Sequence, residues 1–89
     1  MRRIKLEAGR LINKMAMSTY MKEVLELPEY FGNNLDALYD CLSEMEEDVD
    51  FIIGHDDLLT LATSIYAYNT VRVISDVSYE NPHVKFHVE

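Results

Sequence analysis

The chain has 89 residues, 48% of them hydrophobic, which is enough for one small domain and leaves no room for a second. Its 16 acids against 8 Lys plus Arg give a net charge of −8, which argues against direct binding to nucleic acid or to an anionic membrane, and its one cysteine, Cys41, excludes an internal disulfide. The basic start Met1-Arg2-Arg3 is not followed by the apolar core of a signal peptide, because Lys5, Glu7 and Arg10 interrupt it, so the expected compartment is the cytoplasm.

Residues 2–7 alternate, with Ile4 and Leu6 against Arg3, Lys5 and Glu7, as a first strand does. From about Ala16 to Glu26, the positions Met17, Tyr20, Met21, Val24 and Leu25 recur at helical spacing, and Pro28 closes that helix. A second helix is expected from about Leu35 to Met45, with Gly32 in the turn before it and Asn33 or Asn34 as N-cap. Val49 to Ile53 reads as a buried strand. Asp56 or Asp57 suits the start of a short helix reaching about Ala62, and Asn69 or Thr70 the start of another reaching about Glu80, where Asn81-Pro82 stops it. His83 to Val88 alternates as a last strand. This order predicts an α/β fold: a small three-stranded parallel sheet packed by about four helices, as a single domain over residues 1–89.

Charge is distributed unevenly along that order. No Lys or Arg occurs between Lys22 and Arg72, whereas the same stretch holds Glu23, Glu26, Glu29, Asp36, Asp40, Glu44, Glu46, Glu47, Asp48, Asp50, Asp56 and Asp57. On the second helix, Leu35, Leu38, Cys41, Leu42 and Met45 share one arc and are expected to face the core, while Asp36, Tyr39, Asp40, Ser43 and Glu44 share the other. Asp36, Asp40 and Glu44 stand at i, i+4 and i+8, so neighbouring pairs repel by roughly 0.2–0.5 kcal/mol with no cation on the helix to offset them. Asp36 gains from the positive end of the helix dipole; Asp40, mid-helix, does not. An acidic face that folding does not favour suits a cationic partner. Tyr30, Gly32 and Asn34 in the approach loop, and Tyr39 beside Asp40, add the aromatic and backbone groups typical of an interface centre.

The run Leu27-Pro28-Glu29-Tyr30-Phe31-Gly32-Asn33-Asn34-Leu35-Asp36-Ala37-Leu38-Tyr39-Asp40-Cys41-Leu42-Ser43 resembles the binding segment of the barstar family almost position for position, and the rest of the chain fits that family in length and element order. The resemblance implies a stoichiometric inhibitor of a secreted, barnase-like, guanyl-preferring ribonuclease, in a 1:1 complex. It implies that Asp40 takes the place of an RNA phosphate in the basic active site and that Asp36 pairs with a basic residue there. Tyr30, Gly32, Asn34, Leu35, Tyr39 and Ser43 would pack and hydrogen-bond around the cleft, with Asp76 reaching in from the last helix and Glu80 one turn beyond. The chain departs from the family pattern at Tyr39 and Met45, where barstar has tryptophans, and at Glu44, where it has glycine. Glu44 places a charge where the helix ends near the nuclease.

Other chemistry is less well supported. His55, His83 and His87 lack zinc-type spacing with cysteine, the acidic run Glu44 to Asp50 lacks the glycine of a calcium loop, and no glycine-rich phosphate loop occurs. No metal, cofactor or catalytic residue is therefore expected, Cys41 is expected to be an inert core thiol, and the free protein is expected to be a monomer. A barstar-fold immunity or regulatory module for a different basic protein is the alternative, and a small hydrolase or metal protein is a third.

Overall fold

The computed structural model describes residues 2–29, 31–32 and 34–89. Strand β1 (Arg2–Leu6) leads through a 3-10 turn at Ala8–Arg10 to α1 (Lys14–Leu25) and α2 (Leu35–Ser43). After β2 (Val49–Ile53), a second 3-10 turn at His55–Asp57 precedes α3 (Leu58–Thr63), α4 (Ile65–Glu80) and β3 (Val84–Val88). The strands form one parallel sheet in the order β1-β2-β3, with Ile4 beside Phe51 and Phe51 beside Phe86. The expected α/β class, three parallel strands and four helices, is what the chain adopts.

Alternation along the strands sorts the side chains. Ile4, Leu6, Val49, Phe51, Ile53 and Val84 enter one core cluster with Met17, Tyr20, Met21, Leu38, Leu42, Ile74 and Val77 from the helices. Every residue of β2 is buried, as befits the central strand of a parallel sheet. Arg3, Lys5, Asp50, Lys85 and His87 fall on the other face, and there Arg3 Nε lies 3.7 Å and His87 Nδ1 3.2 Å from the Asp50 carboxylate.

Several boundaries differ from the sequence expectation, each through a local hydrogen bond. Asn13 caps α1, accepting from the Ala16 N–H at 2.8 Å, so that helix begins two residues before Ala16. Its end agrees with the expectation of about Glu26: that residue is the C-cap and takes the left-handed conformation (φ 54°), with the next N–H, of Leu27, donated back to Lys22 O at 3.0 Å. Asp57 occupies the N-cap position of α3 without a side-chain cap bond, because the preceding 3-10 turn orders the entry instead. The largest correction concerns α4. It starts at Ile65, not at Asn69 or Thr70, because Ser64 Oγ accepts from Ala67 N–H at 3.2 Å, while Thr70 is buried inside the helix and donates its hydroxyl to Tyr66 O. Exposed Ile65 and Tyr68 mask the periodicity of that first turn.

The two edges of the sheet are treated differently. The bond from Arg2 N–H to Asp48 O fixes which β1 groups face β2, and alternation then turns Lys5 C=O and Glu7 N–H outward. One hydroxyl serves both. Tyr20, buried on α1, donates to Lys5 O at 3.2 Å and accepts from Glu7 N–H at 3.1 Å, closing the β1 edge from the side. Desolvation holds the Tyr20 phenol above its ordinary pKa of 10.0, so the neutral, bonded form is the folded one. Tyr20→Phe leaves two edge groups without a partner and is expected to cost about 1–3 kcal/mol in urea unfolding. Because the folded pKa is raised, the contribution is complete below pH 10.0 and is lost as pH rises above it. Alkaline loss of stability is therefore expected to be smaller in Tyr20→Phe than in the natural chain.

Candidate functional site

Helix α2 is positioned at both ends by side chains. At its start Asn34 Oδ1 accepts from Ala37 N–H at 2.7 Å, settling the N-cap, and the loop before it comes so close that a Cβ on Gly32 would stand 3.0 Å from the Ala37 Cβ. A glycine fits that approach; an alanine would press on the first turn. At its end the helix stops at Ser43 rather than Met45, with Glu44 as C-cap. That end is held by Asn81, whose Nδ2 donates to Leu42 O in the last turn at 2.9 Å and to Met45 O just beyond the helix at 3.0 Å.

Leu38 and Leu42 are completely buried under α2, and Leu35, Cys41 and Met45 pack partly against the same core. The expected apolar arc is thus the inward one, though only its centre is sealed. Burial pushes the Cys41 thiol above its ordinary value, with the Glu44 charge acting in the same direction, so it is a poor nucleophile in its half-buried position.

The polar arc holds Asp36, Asp40, Ser43 and Glu44, all exposed. Helix α4 packs alongside and brings exposed Asp76 and Glu80 to the same side. Tyr39 joins the two helices. Expected on the polar arc, it is half-buried against the core, and its hydroxyl donates to Glu80, 2.7 Å from Oε1. The hydrogen bond to the Glu80 carboxylate raises the Tyr39 pKa, its desolvation and the nearby Asp76 charge add to the effect, and Ser43 opposes it. Asp36, Asp40, Glu44, Asp76 and Glu80 enter none of the ion pairs among the described residues, whereas Glu7, Glu23, Glu26, Glu29, Glu47, Asp48 and Asp50 all do. Tyr30, an expected contact residue, and Asn33, the other candidate cap, lie outside the described residues.

The histidines are dispersed. His83 Nδ1 is 2.8 Å from Asp48, His87 faces Asp50, and His55 Nδ1 lies 2.9 Å from Glu89 O. Among the described residues no three His, Cys, Asp or Glu side chains are grouped as a metal would require, and no helix is long and apolar enough to cross a membrane. The site is an acidic, two-helix surface.

A family model described as "Barstar (barnase inhibitor)" matches residues 1–89. The chain belongs to the barstar family. It is similar also to a Bacillus subtilis (strain 168) protein named "Putative ribonuclease inhibitor YrdF", with 27% identity over 81 residues, covering 90% of this chain and 89% of that protein. Barstar-family proteins are inhibitors, not enzymes.

Sequence reasoning took Asn81 only as a helix stop and Glu80 only as a neighbour of Asp76. An asparagine before proline signals a chain break, but nothing local shows that its amide reaches a helix whose end lies 38 residues earlier. Asn81→Ala is expected to cost about 1–3 kcal/mol, because it removes the amide donor of Leu42 O, which keeps only the longer bond from Met45 N–H, and the acceptor of His83 N–H. Urea unfolding measures the loss, and hydrogen exchange is expected to accelerate first in the last turn of α2.

Proposed function

We propose that this barstar-family chain is a stoichiometric inhibitor of a secreted, barnase-like, guanyl-specific ribonuclease, and that it acts from the cytoplasm as a monomer that forms a 1:1 complex. The supporting observation is the set of carboxylates on α2 and α4 that form no ion pair among the described residues. A nuclease that binds RNA phosphate presents clustered cations, and fixed carboxylates replace the phosphate without the entropy cost of ordering a flexible chain.

In this reading Asp40 is the phosphate surrogate and lies at the centre of the contact. Asp36 pairs with a rim cation, and Asp76 extends the surface from α4. Tyr30, Gly32, Asn34 and Leu35 form the loop side, and Tyr39 and Ser43 flank Asp40. The bond from Tyr39 to Glu80 holds the two helices as one rigid acidic unit before any partner arrives, which lowers the cost of binding.

A second reading rests on Glu44. It is exposed at the C-cap of α2, where the family has glycine, so it adds a charge at the rim of the same surface. A partner with an additional cation facing Glu44 would be preferred over the standard nuclease, and that partner includes the case of a different basic toxin.

Asp40→Ala is expected to fold at least as well as the natural chain, since it relieves repulsion from Asp36 and Glu44, and to lose at least about 2 kcal/mol of affinity for a purified barnase-like ribonuclease; the barnase–barstar pair is itself among the reference systems for that range. Titration calorimetry against the nuclease decides it, and undiminished binding by the variant would refute the phosphate-surrogate role. Association of the natural chain is expected to slow by an order of magnitude or so between low and high salt, as measured by stopped flow. Full inhibition by Glu44→Gly with weak inhibition by the natural chain would favour the second reading.

A further inference from the structure

The β3 edge has no counterpart to Tyr20. His83 O accepts from Val49 N–H and Glu89 N–H donates to Ile53 O, so the backbone groups of Lys85 and His87 turn toward β2 and those of Phe86 and Val88 turn outward. Among the described residues nothing pairs with them, and the sheet ends there.

Beside that edge runs a groove. Two adjoining hollows of about 530 and 230 Å³ share Ser75 and Phe86 along the side of α4 that faces β3. Tyr68, Tyr79 and Val88 line them and are 53%, 88% and 52% exposed. Tyr68, Arg72, Ser75 and Tyr79 form one stripe of α4, centred about 90° from the stripe of Asp76 and Glu80, and the two adjoin at Arg72, one turn before Asp76.

The charge of the groove is opposite to that of the molecule. Its charged side chains are the cations Arg72 and Lys85, with His87 beside them. Arg72 and Lys85 form no ion pair among the described residues of a chain with net charge −8, and His87 shares the Asp50 carboxylate with Arg3. A second copy of the chain is a poorer occupant, because two-fold pairing centred on Phe86 sets Lys85 opposite His87 twice and brings the one acid of that segment, Glu89, opposite His83 rather than Lys85. We infer that the outer edge of β3, with its groove, takes an extended acidic polypeptide segment as a fourth strand. Alternate side chains of that segment are apolar on the α4 side, against Phe86 and Tyr79, and carboxylate-bearing on the opposite face, against Lys85.

A short, end-capped synthetic peptide that alternates glutamate with valine and phenylalanine tests this. On adding it to the natural chain, backbone amide shifts are expected to move along β3 and α4, and exchange at Phe86 and Val88, fast in the free protein, to slow by at least about tenfold. The same peptide with lysine for glutamate, or with alternate backbone nitrogens methylated, is expected not to bind. Lys85→Glu, at an exposed position, is expected to weaken binding by roughly tenfold. Absence of binding at about 1 mM glutamate peptide, or equal binding of the lysine peptide, overturns the inference. Slow exchange at Phe86 and Val88 in a free protein that sediments as a dimer also overturns it, since a second copy would then occupy the edge.

Discussion

A single asparagine ties the acidic surface to the sheet. Asn81 donates its N–H to Val77 O to close α4, accepts from Val84 N–H to open β3, and accepts at its side-chain oxygen from His83 N–H. Its amide nitrogen, meanwhile, holds the end of α2. Two helices and a strand are therefore registered through one buried residue whose every polar group is in use. Relative displacement of α2 and α4 would break several of these bonds together, so the positions of Asp40 and Asp76 are fixed with respect to each other by a residue that carries no charge.

The electrostatics divide the molecule in two. Arg2, Arg3, Arg10 and Lys22, from the first quarter of the chain, reach Glu26, Glu47, Asp50, Glu7, Glu23 and Glu29, so this half is nearly compensated. Most of these pairs are exposed and contribute little each. Their effect is one of placement: the ion pairs among the described residues lie on β1, α1 and the β2 end and none reaches α2, so the negative field is concentrated on the α2 side.

Much of this was legible in the sequence. Alternation in residues 2–7, 49–53 and 83–88 and the apolar spacing on α1 and α2 located the strands and the first two helices, because each of those elements buries a continuous face in one core. Asp36, Asp40 and Glu44 were legible as an uncompensated face by counting charges. The start of α4 was not, since Ile65 and Tyr68 point away from the core and Asn69-Thr70 imitates a cap that Ser64 actually provides. The bonds from Tyr39 to Glu80, from Tyr20 to the β1 edge and from Asn81 to α2 depend on how distant segments meet, and no local pattern encodes them.

The strand order carries a kinetic consequence. Arg2 pairs with Val49, so β1 joins β2 only after the whole α1–α2 segment has been looped out, and β3 joins later in the chain still. Loop closure of that length is entropically costly and places the rate-limiting step in the meeting of residues far apart in sequence. Before it, α2 has neither a sheet to cover nor an Asn81 to end against, and a helix of nine residues with like charges at every fourth position is too short to persist alone. The acidic surface consequently comes into being with the last tertiary contacts, and a nascent or partly unfolded chain does not present it.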